Sequence, residues 1–125
     1  MILIARSAAT IVALLLAIVS PLALAQAPAK VSDGVLVNDA GMTLYTFDKD
    51  AGGKSACSGP CAANWPPLGA SASATASGDW SIVTRDDGTR QWAYKGKPLY
   101  LFNKDAKPGD VAGDGVNSVW HIAAP

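Results

Sequence analysis

Short runs of alternating apolar and polar residues, separated by turn-forming residues, fill most of the chain after residue 33. Residues 35–37 and 42–47 flank the stretch 38–41, Asn-Asp-Ala-Gly, whose residues tolerate left-handed backbone geometry. Residues 80–85 and 90–94 flank Asp86-Asp87-Gly88, a second hairpin signal. This two-residue period is typical of strands that bury one face of a sheet.

The pattern continues to the C-terminus. Residues 90–94 and 98–102 flank Lys95-Gly96-Lys97, and residues 118–123 form a last apolar strand. Sequential hairpins make an antiparallel meander. We therefore predict an all-β fold of roughly six strands, either a small meander or a barrel-like sandwich. Its last strand is expected to pair with residues 35–37, and one short helical turn is expected at residues 57–65.

Alternation places two aromatic pairs on one face of the predicted sheet and two leucines on the other. The aromatic pairs are Tyr45 with Phe47 and Tyr100 with Phe102, and the leucines are Leu44 and Leu99. Cross-strand packing in a small core explains such pairs better than a ligand platform does. These aromatic residues are therefore predicted to be core.

An internal duplication relates the two halves of this pattern. At an offset of 55 residues, positions 39–51 and 94–106 are identical at seven of thirteen places, and the same offset places Trp65 on Trp120. Such a fixed offset is typical of a repeat protein. We predict a single domain at residues 34–123, with repeats at about 34–68 and 89–123 and an Ala/Ser-rich flexible surface loop at 69–78.

The N-terminal 25 residues have the pattern of a signal peptide. A basic start precedes an apolar run at residues 8–19, a Ser20-Pro21 break and the small-residue site Ala23-Leu24-Ala25. Cleavage is expected after Ala25, or after Ala27, and residues 26–33 would then form a flexible arm. The sequence thus predicts a periplasmic or secreted protein that is not inserted in a membrane after cleavage.

Charge and composition exclude several function classes. Ten Lys and Arg residues balance ten acids, all of them Asp. A balanced chain has no basic footprint for nucleic acid. With one histidine and no glutamate, acid–base catalysis would depend on Asp and Tyr alone, and no catalytic or phosphate-binding motif is present. We predict a protein that is not an enzyme and needs no cofactor.

Cys57 and Cys61 form the single cysteine pair. In a helical turn their spacing gives a Cα separation of about 6 Å, and export favours oxidation, so a disulfide staple is expected. Two alternatives remain open. The pair could be redox-active, although three intervening residues fit that role poorly, or both thiolates could bind copper together with His121.

Asp50 and Asp105 follow Phe47 and Phe102 by three residues, where each strand ends. The expected role is to accept backbone N–H bonds in the following turn, which would hold the folded pKa of each carboxyl below its unfolded value. Calcium binding is the alternative, but neither string matches a calcium-loop motif.

Three strings together resemble a known family: LYTFDKD at 44–50, CSGPCAANWPPL at 57–68 and PLYLF at 98–102. They are similar to the bacterial "secreted repeat of unknown function" family, predicted lipoproteins with a Tyr-x-(Phe/Trp/Tyr)-x-x-Asp motif. The family's cysteine pair and Trp-Pro-Pro string correspond to Cys57, Cys61, Trp65, Pro66 and Pro67. This chain departs from the lipoprotein label because it has no cysteine near the cleavage sites.

The resemblance implies an exported repeat protein without an assigned activity. We therefore expect a non-enzymatic binding or interaction module whose partner is another protein or a cell-envelope component. The alternative from a different class is a copper-handling or thiol-redox protein that uses Cys57, Cys61 and His121.

Overall fold

The computed structural model describes residues 27–125, and the predicted signal peptide at 1–25 lies outside the described residues. Short strands dominate this part of the chain. The strands are β1 (Lys30–Ser32), β2 (Val35–Val37), β3 (Tyr45–Phe47), β4 (Trp80–Thr84), β5 (Arg90–Tyr94), β6 (Lys97–Pro98) and β7 (Trp120–Ile122). One helical turn, α1 (Pro60–Asn64), and one 3-10 turn (Val116–Ser118) complete the secondary structure.

The strands form three small antiparallel sheets, in the orders β1-β2, β3-β7 and β4-β5-β6. The all-β antiparallel prediction is therefore confirmed. The hairpins β4-β5 and β5-β6 form where the turn signals placed them. Among residues 27–125 the sheets do not close into a barrel.

One expectation about strand pairing is wrong. The last strand pairs with β3, in the register Phe47↔Trp120, rather than with residues 35–37. Only Ala123, beyond the end of β7, reaches the β2 strand by accepting the Leu36 N–H at 2.9 Å. Pairing with β3 brings Trp120 onto the aromatic side of the molecule, where it can be buried.

Residues 30–32, within the segment predicted as a flexible arm, form strand β1, which pairs with β2. The turn between them has Asp33 at φ 50° and Gly34 at φ 79°. Two consecutive left-handed residues form the tight turn whose twist matches that of a hairpin. Sequence reasoning missed this turn because the segment has no apolar period.

The two repeats are joined to each other through their central strands. Tyr45 N–H donates to the Tyr100 carbonyl at 2.8 Å, and Tyr100 N–H donates to the Tyr45 carbonyl at 2.9 Å. Leu68 N–H binds the Leu99 carbonyl, and the equivalent Ala123 N–H binds the Leu44 carbonyl. This exchange of equivalent contacts gives the domain an approximate two-fold relation.

The core has two parts, one on each face of these central strands. One cluster is mainly aromatic: Tyr45, Cys57, Trp65, Tyr100, Phe102 and Trp120, with Phe47 packed against it. The other is aliphatic: Ala29, Leu36, Leu44, Leu99 and Ala123. The predicted separation of aromatic residues and leucines onto opposite faces is confirmed.

One side chain binds the backbone of the predicted loop at residues 69–78 in three places. The Arg90 guanidinium donates to the carbonyls of Ser71, Ala72 and Ala74 at 2.6 to 2.9 Å. Because the loop has few apolar side chains to bury, these bonds to its backbone fix its path. Composition alone gave no sign that Arg90 would reach it.

Candidate functional site

Four aromatic rings of the repeat motif form one continuous stack. Phe47 lies 4.2 Å from Trp120, Trp120 lies 3.8 Å from Trp65, and Trp65 lies 4.0 Å from Phe102, measured between ring centroids. Trp65 and Trp120 are each under 6% exposed. The two tryptophans that shared a register in the sequence thus meet at the centre of the core, and their surface is used for packing.

The repeat-motif tyrosines bind the aspartates of the opposite repeat. Tyr45 Oη donates to Asp105 Oδ2, and Tyr100 Oη donates to Asp50 Oδ2, both at 2.6 Å. The other oxygen of each aspartate accepts a backbone N–H, from Ala56 for Asp50 and from Ala112 for Asp105, as their positions predicted. The crossed tyrosine bonds were not predicted, because periodicity within one repeat does not show which residue of the other repeat is near.

The predicted direction of the Asp50 pKa shift is wrong. Burial raises the pKa of the Asp50 carboxyl, and this effect outweighs the lowering by the Ala56 and Tyr100 hydrogen bonds and by the charge of Arg85. Burial, together with the bond to Asp50, raises the pKa of Tyr100 to about 12. Burial, together with the bond to Asp105, likewise raises the pKa of Tyr45 above its usual range.

A buried polar network surrounds the Tyr100–Asp50 pair. Ser55 Oγ lies 2.6 Å from Tyr100 Oη and accepts from Arg85 at 2.9 Å. Arg85 also donates to Gln91 Oε1 at 2.7 Å and to the Cys57 carbonyl. Sequence reasoning missed Arg85 and Gln91, which are 8% and 0% exposed. The sequence offered one signal for Gln91: in the two-residue alternation of its strand, this side chain lies on the face opposite to that of Trp92.

Cys57 and Cys61 form the predicted disulfide, with a Cα separation of 5.2 Å. Cys57 precedes helix α1 rather than lying in it, so the helical geometry assumed for the pair is wrong. Within residues 27–125 no group of three His, Cys or Asp residues could hold a metal ion. The structure therefore does not bring the two cysteines together with His121.

His121 lies instead in a surface groove between β3, β7 and the β5-β6 hairpin. We call it the polar groove and define it by Thr46, Asp48, Tyr94, Lys95, Lys97 and His121. Its volume is about 260 Å³, and a second hollow of about 220 Å³ adjoins it at Thr46, Asp48 and Lys97. His121 Nε2 lies 2.8 Å from Asp48 Oδ2, and both side chains are about half exposed.

In the other repeat, the positions equivalent to Thr46, Asp48, Lys97 and His121 line a groove with different chemistry. We call it the apolar groove; its lining includes Met42, Pro66, Leu101 and Asn103, and its volume is about 220 Å³. At the offset of 55 residues, Thr46 corresponds to Leu101, Asp48 to Asn103, Lys97 to Met42 and His121 to Pro66. The same place in the fold thus carries ionisable side chains in one repeat and none at these positions in the other.

Comparison with known proteins identifies one family. The profile of the family described as "Secreted repeat of unknown function" matches residues 28–69 and 81–124, which include both repeats. No curated protein and no solved structure matches the chain. No helix formed by residues 27–125 is both long and apolar enough to span a membrane.

Proposed function

The chain belongs to the family of secreted repeats of unknown function, and on that premise we propose that it is a non-enzymatic periplasmic binding module. Its partner is another protein or a component of the cell envelope. The partner binds in the polar groove.

The observation that carries this proposal is the difference between the two grooves. The apolar groove has uncharged residues at the four positions equivalent to those of the polar groove: Leu101, Asn103, Met42 and Pro66. Because that repeat folds with these residues, the fold does not demand charged side chains there. The exposed Asp48–His121 pair contributes little stability, about 0–1 kcal/mol. Residues that neither the fold nor its stability requires are candidates for recognition.

The use of the other acid–base groups supports binding rather than turnover. Hydrogen bonds in and beside the core pair Tyr45 with Asp105 and Tyr100 with Asp50. Their oxygens satisfy backbone and side-chain partners, and their role is to hold the two repeats together. The polar groove contains His121, the single histidine of the chain, already bonded to Asp48.

Cosedimentation of the exported protein with isolated cell-envelope fractions tests the proposal. At two of the four positions, the double variant Asp48→Asn/Lys97→Met gives the polar groove the residues of the apolar one. The matched control, Asn103→Asp/Met42→Lys, makes the reverse change in the apolar groove. We expect wild type and control to bind and the polar-groove variant to lose binding. Equal binding of all three proteins would show that the polar groove is not the binding site.

A further inference from the structure

The tip of the β5-β6 hairpin places a lysine where the backbone disfavours it. Lys95 has φ 49° and Gly96 has φ 81°, so the two form a tight turn with consecutive left-handed residues. Asn, Asp and Gly are preferred at the first of these positions, and other side chains are strained there. In the first repeat the equivalent pair is Ala40 and Gly41, and Ala40 is not left-handed. The lysine is therefore held at a local cost that the other repeat avoids.

This lysine and its neighbour bring positive charge to one end of the polar groove. The Lys95 ammonium lies 5.2 Å from the centroid of the Tyr94 ring, and Lys97 lines both the groove and the adjoining hollow. The single salt bridge among residues 27–125 joins His121 to Asp48. Neither lysine has a carboxylate partner within that part of the chain.

The acidic residue of the groove is already engaged. A carboxylate can only accept, so the hydrogen in the His121–Asp48 bond belongs to Nε2 of the imidazole. Asp48 is thereby directed to His121, and the Lys95 and Lys97 charges remain available to a ligand. Ile122, which is partly buried, provides apolar surface in the same groove.

We infer that the polar groove binds a small anionic group, a carboxylate or a phosphate, at Lys95 and Lys97. The apolar part of the ligand lies against Ile122. This inference rests on the proposed function and names the chemical class of its ligand. The concave shape fits a group that enters the groove rather than a flat anionic surface.

Amide chemical-shift titration with sodium phosphate and with sodium acetate tests the inference, with sodium chloride at equal ionic strength as the reference. We expect saturable shifts at Lys95, Lys97 and His121 with at least one of the two anions. The anion that binds more tightly identifies the ligand group as a phosphate or a carboxylate. Lys95→Asn removes the charge and relieves the turn, so it should weaken binding roughly threefold or more while the melting temperature stays level or rises. Lys104→Asn removes one exposed charge outside the groove and should leave binding unchanged.

Two results would overturn the inference: no saturable shift with either anion, or equal weakening of binding by Lys95→Asn and Lys104→Asn. Failure of this inference can be distinguished from failure of the proposed function. If envelope binding depends on the groove but neither anion saturates it, the ligand class is wrong and the binding module stands. If anions saturate the groove but no envelope fraction binds, the anion site stands and the proposed partner is wrong.

Discussion

The two repeats place the same tyrosine–aspartate bond in different surroundings. In the first, Asp50 binds Tyr100 beside Ser55, and a disulfide and Arg85 hold the adjoining loop. In the second, the backbone N–H of Gly113 donates to Tyr45 Oη at 3.2 Å. The tyrosines, phenylalanines and leucines shared by both repeats pack in the core, whereas the loops that close over them have diverged. Two unrelated solutions thus protect equivalent buried bonds.

The grooves show the same separation on the surface. Lys97 and His121 in the polar groove correspond to Met42 and Pro66 in the apolar groove, although the strands around them are equivalent. Packing constrains the ring stack and the crossed hydrogen bonds, since each copy contacts the other. It does not constrain the groove linings, which face solvent. New chemistry could therefore arise in one copy without loss of the fold.

The largest expected effect is a loss of stability that differs between the two ends of the ring stack. Phe102 is 8% exposed, whereas Phe47 is only partly buried. Phe102→Ala should lower the free energy of unfolding by about 3–5 kcal/mol, and Phe47→Ala by roughly half as much, because less buried surface is lost. Denaturant unfolding of both variants measures this difference. Equal costs would mean that the stack is energetically symmetric, and near-zero costs would mean that the rings are not core.

A smaller loss of stability is expected when Gly113, whose backbone N–H donates to Tyr45 Oη, is replaced. A Cβ added at Gly113 would lie 2.7 Å from a Trp65 ring carbon and 2.9 Å from a Tyr45 ring carbon. Gly113→Ala should therefore cost about 1–3 kcal/mol through overpacking. Gly69→Ala is the matched control, since its Cβ would meet nothing within 4 Å. A Gly113→Ala variant as stable as the Gly69→Ala control would show that Trp65 can move aside.

Alkaline pH should weaken both crossed bonds. The pKa of Tyr100 is raised to about 12, so the protonated hydroxyl is favoured in the folded state. That stability is fully present below the unfolded pKa of about 10 and is lost as pH rises through the folded pKa, up to about 2 kcal/mol. Urea midpoints measured from pH 8 to pH 11.5 should fall at the upper end. Tyr100→Phe and Tyr45→Phe should each make the fall shallower; an unchanged slope in both would contradict the assignment.

The smallest effect concerns the charge of Asp50. Because its folded pKa is raised, its contribution to stability is greatest below the unfolded pKa of about 4 and declines as pH rises through the folded pKa. Asp50→Asn should therefore cost less at pH 7, under about 1 kcal/mol, than at pH 3. Thermal melts at both pH values, with Asp105→Asn as the reference from the other repeat, measure the change. A larger cost at pH 7 would restore the lowered pKa that the sequence suggested.

The sequence predicted much of this architecture, because short-range patterns carry it. Turn residues and the two-residue period located the hairpins β4-β5 and β5-β6, and the duplication revealed the equivalence of Trp65 and Trp120. The cysteine spacing and the predicted export indicated the disulfide. Each of these inferences depends on residues that are near in sequence or repeated at a fixed offset.

The candidate site could not be found in this way. His121 and Asp48 lie 73 residues apart in sequence, and only the pairing of β7 with β3 brings them together. The same pairing separates His121 from the cysteines with which it had been grouped. A histidine on one strand and an aspartate that follows another have no local signal, since strand order is decided by burial of the whole core.

The amino-acid sequence by itself thus determined most of the strands, their buried faces and the two repeats, because hydrophobic alternation is local. The tertiary structure decided how the repeats cross: which tyrosine binds which aspartate, and which two grooves are equivalent. It also reversed the expected shift of the Asp50 pKa, since burial depends on every element packed around a carboxyl. Distances between residues far apart in sequence follow from packing, and packing is a property of the whole chain.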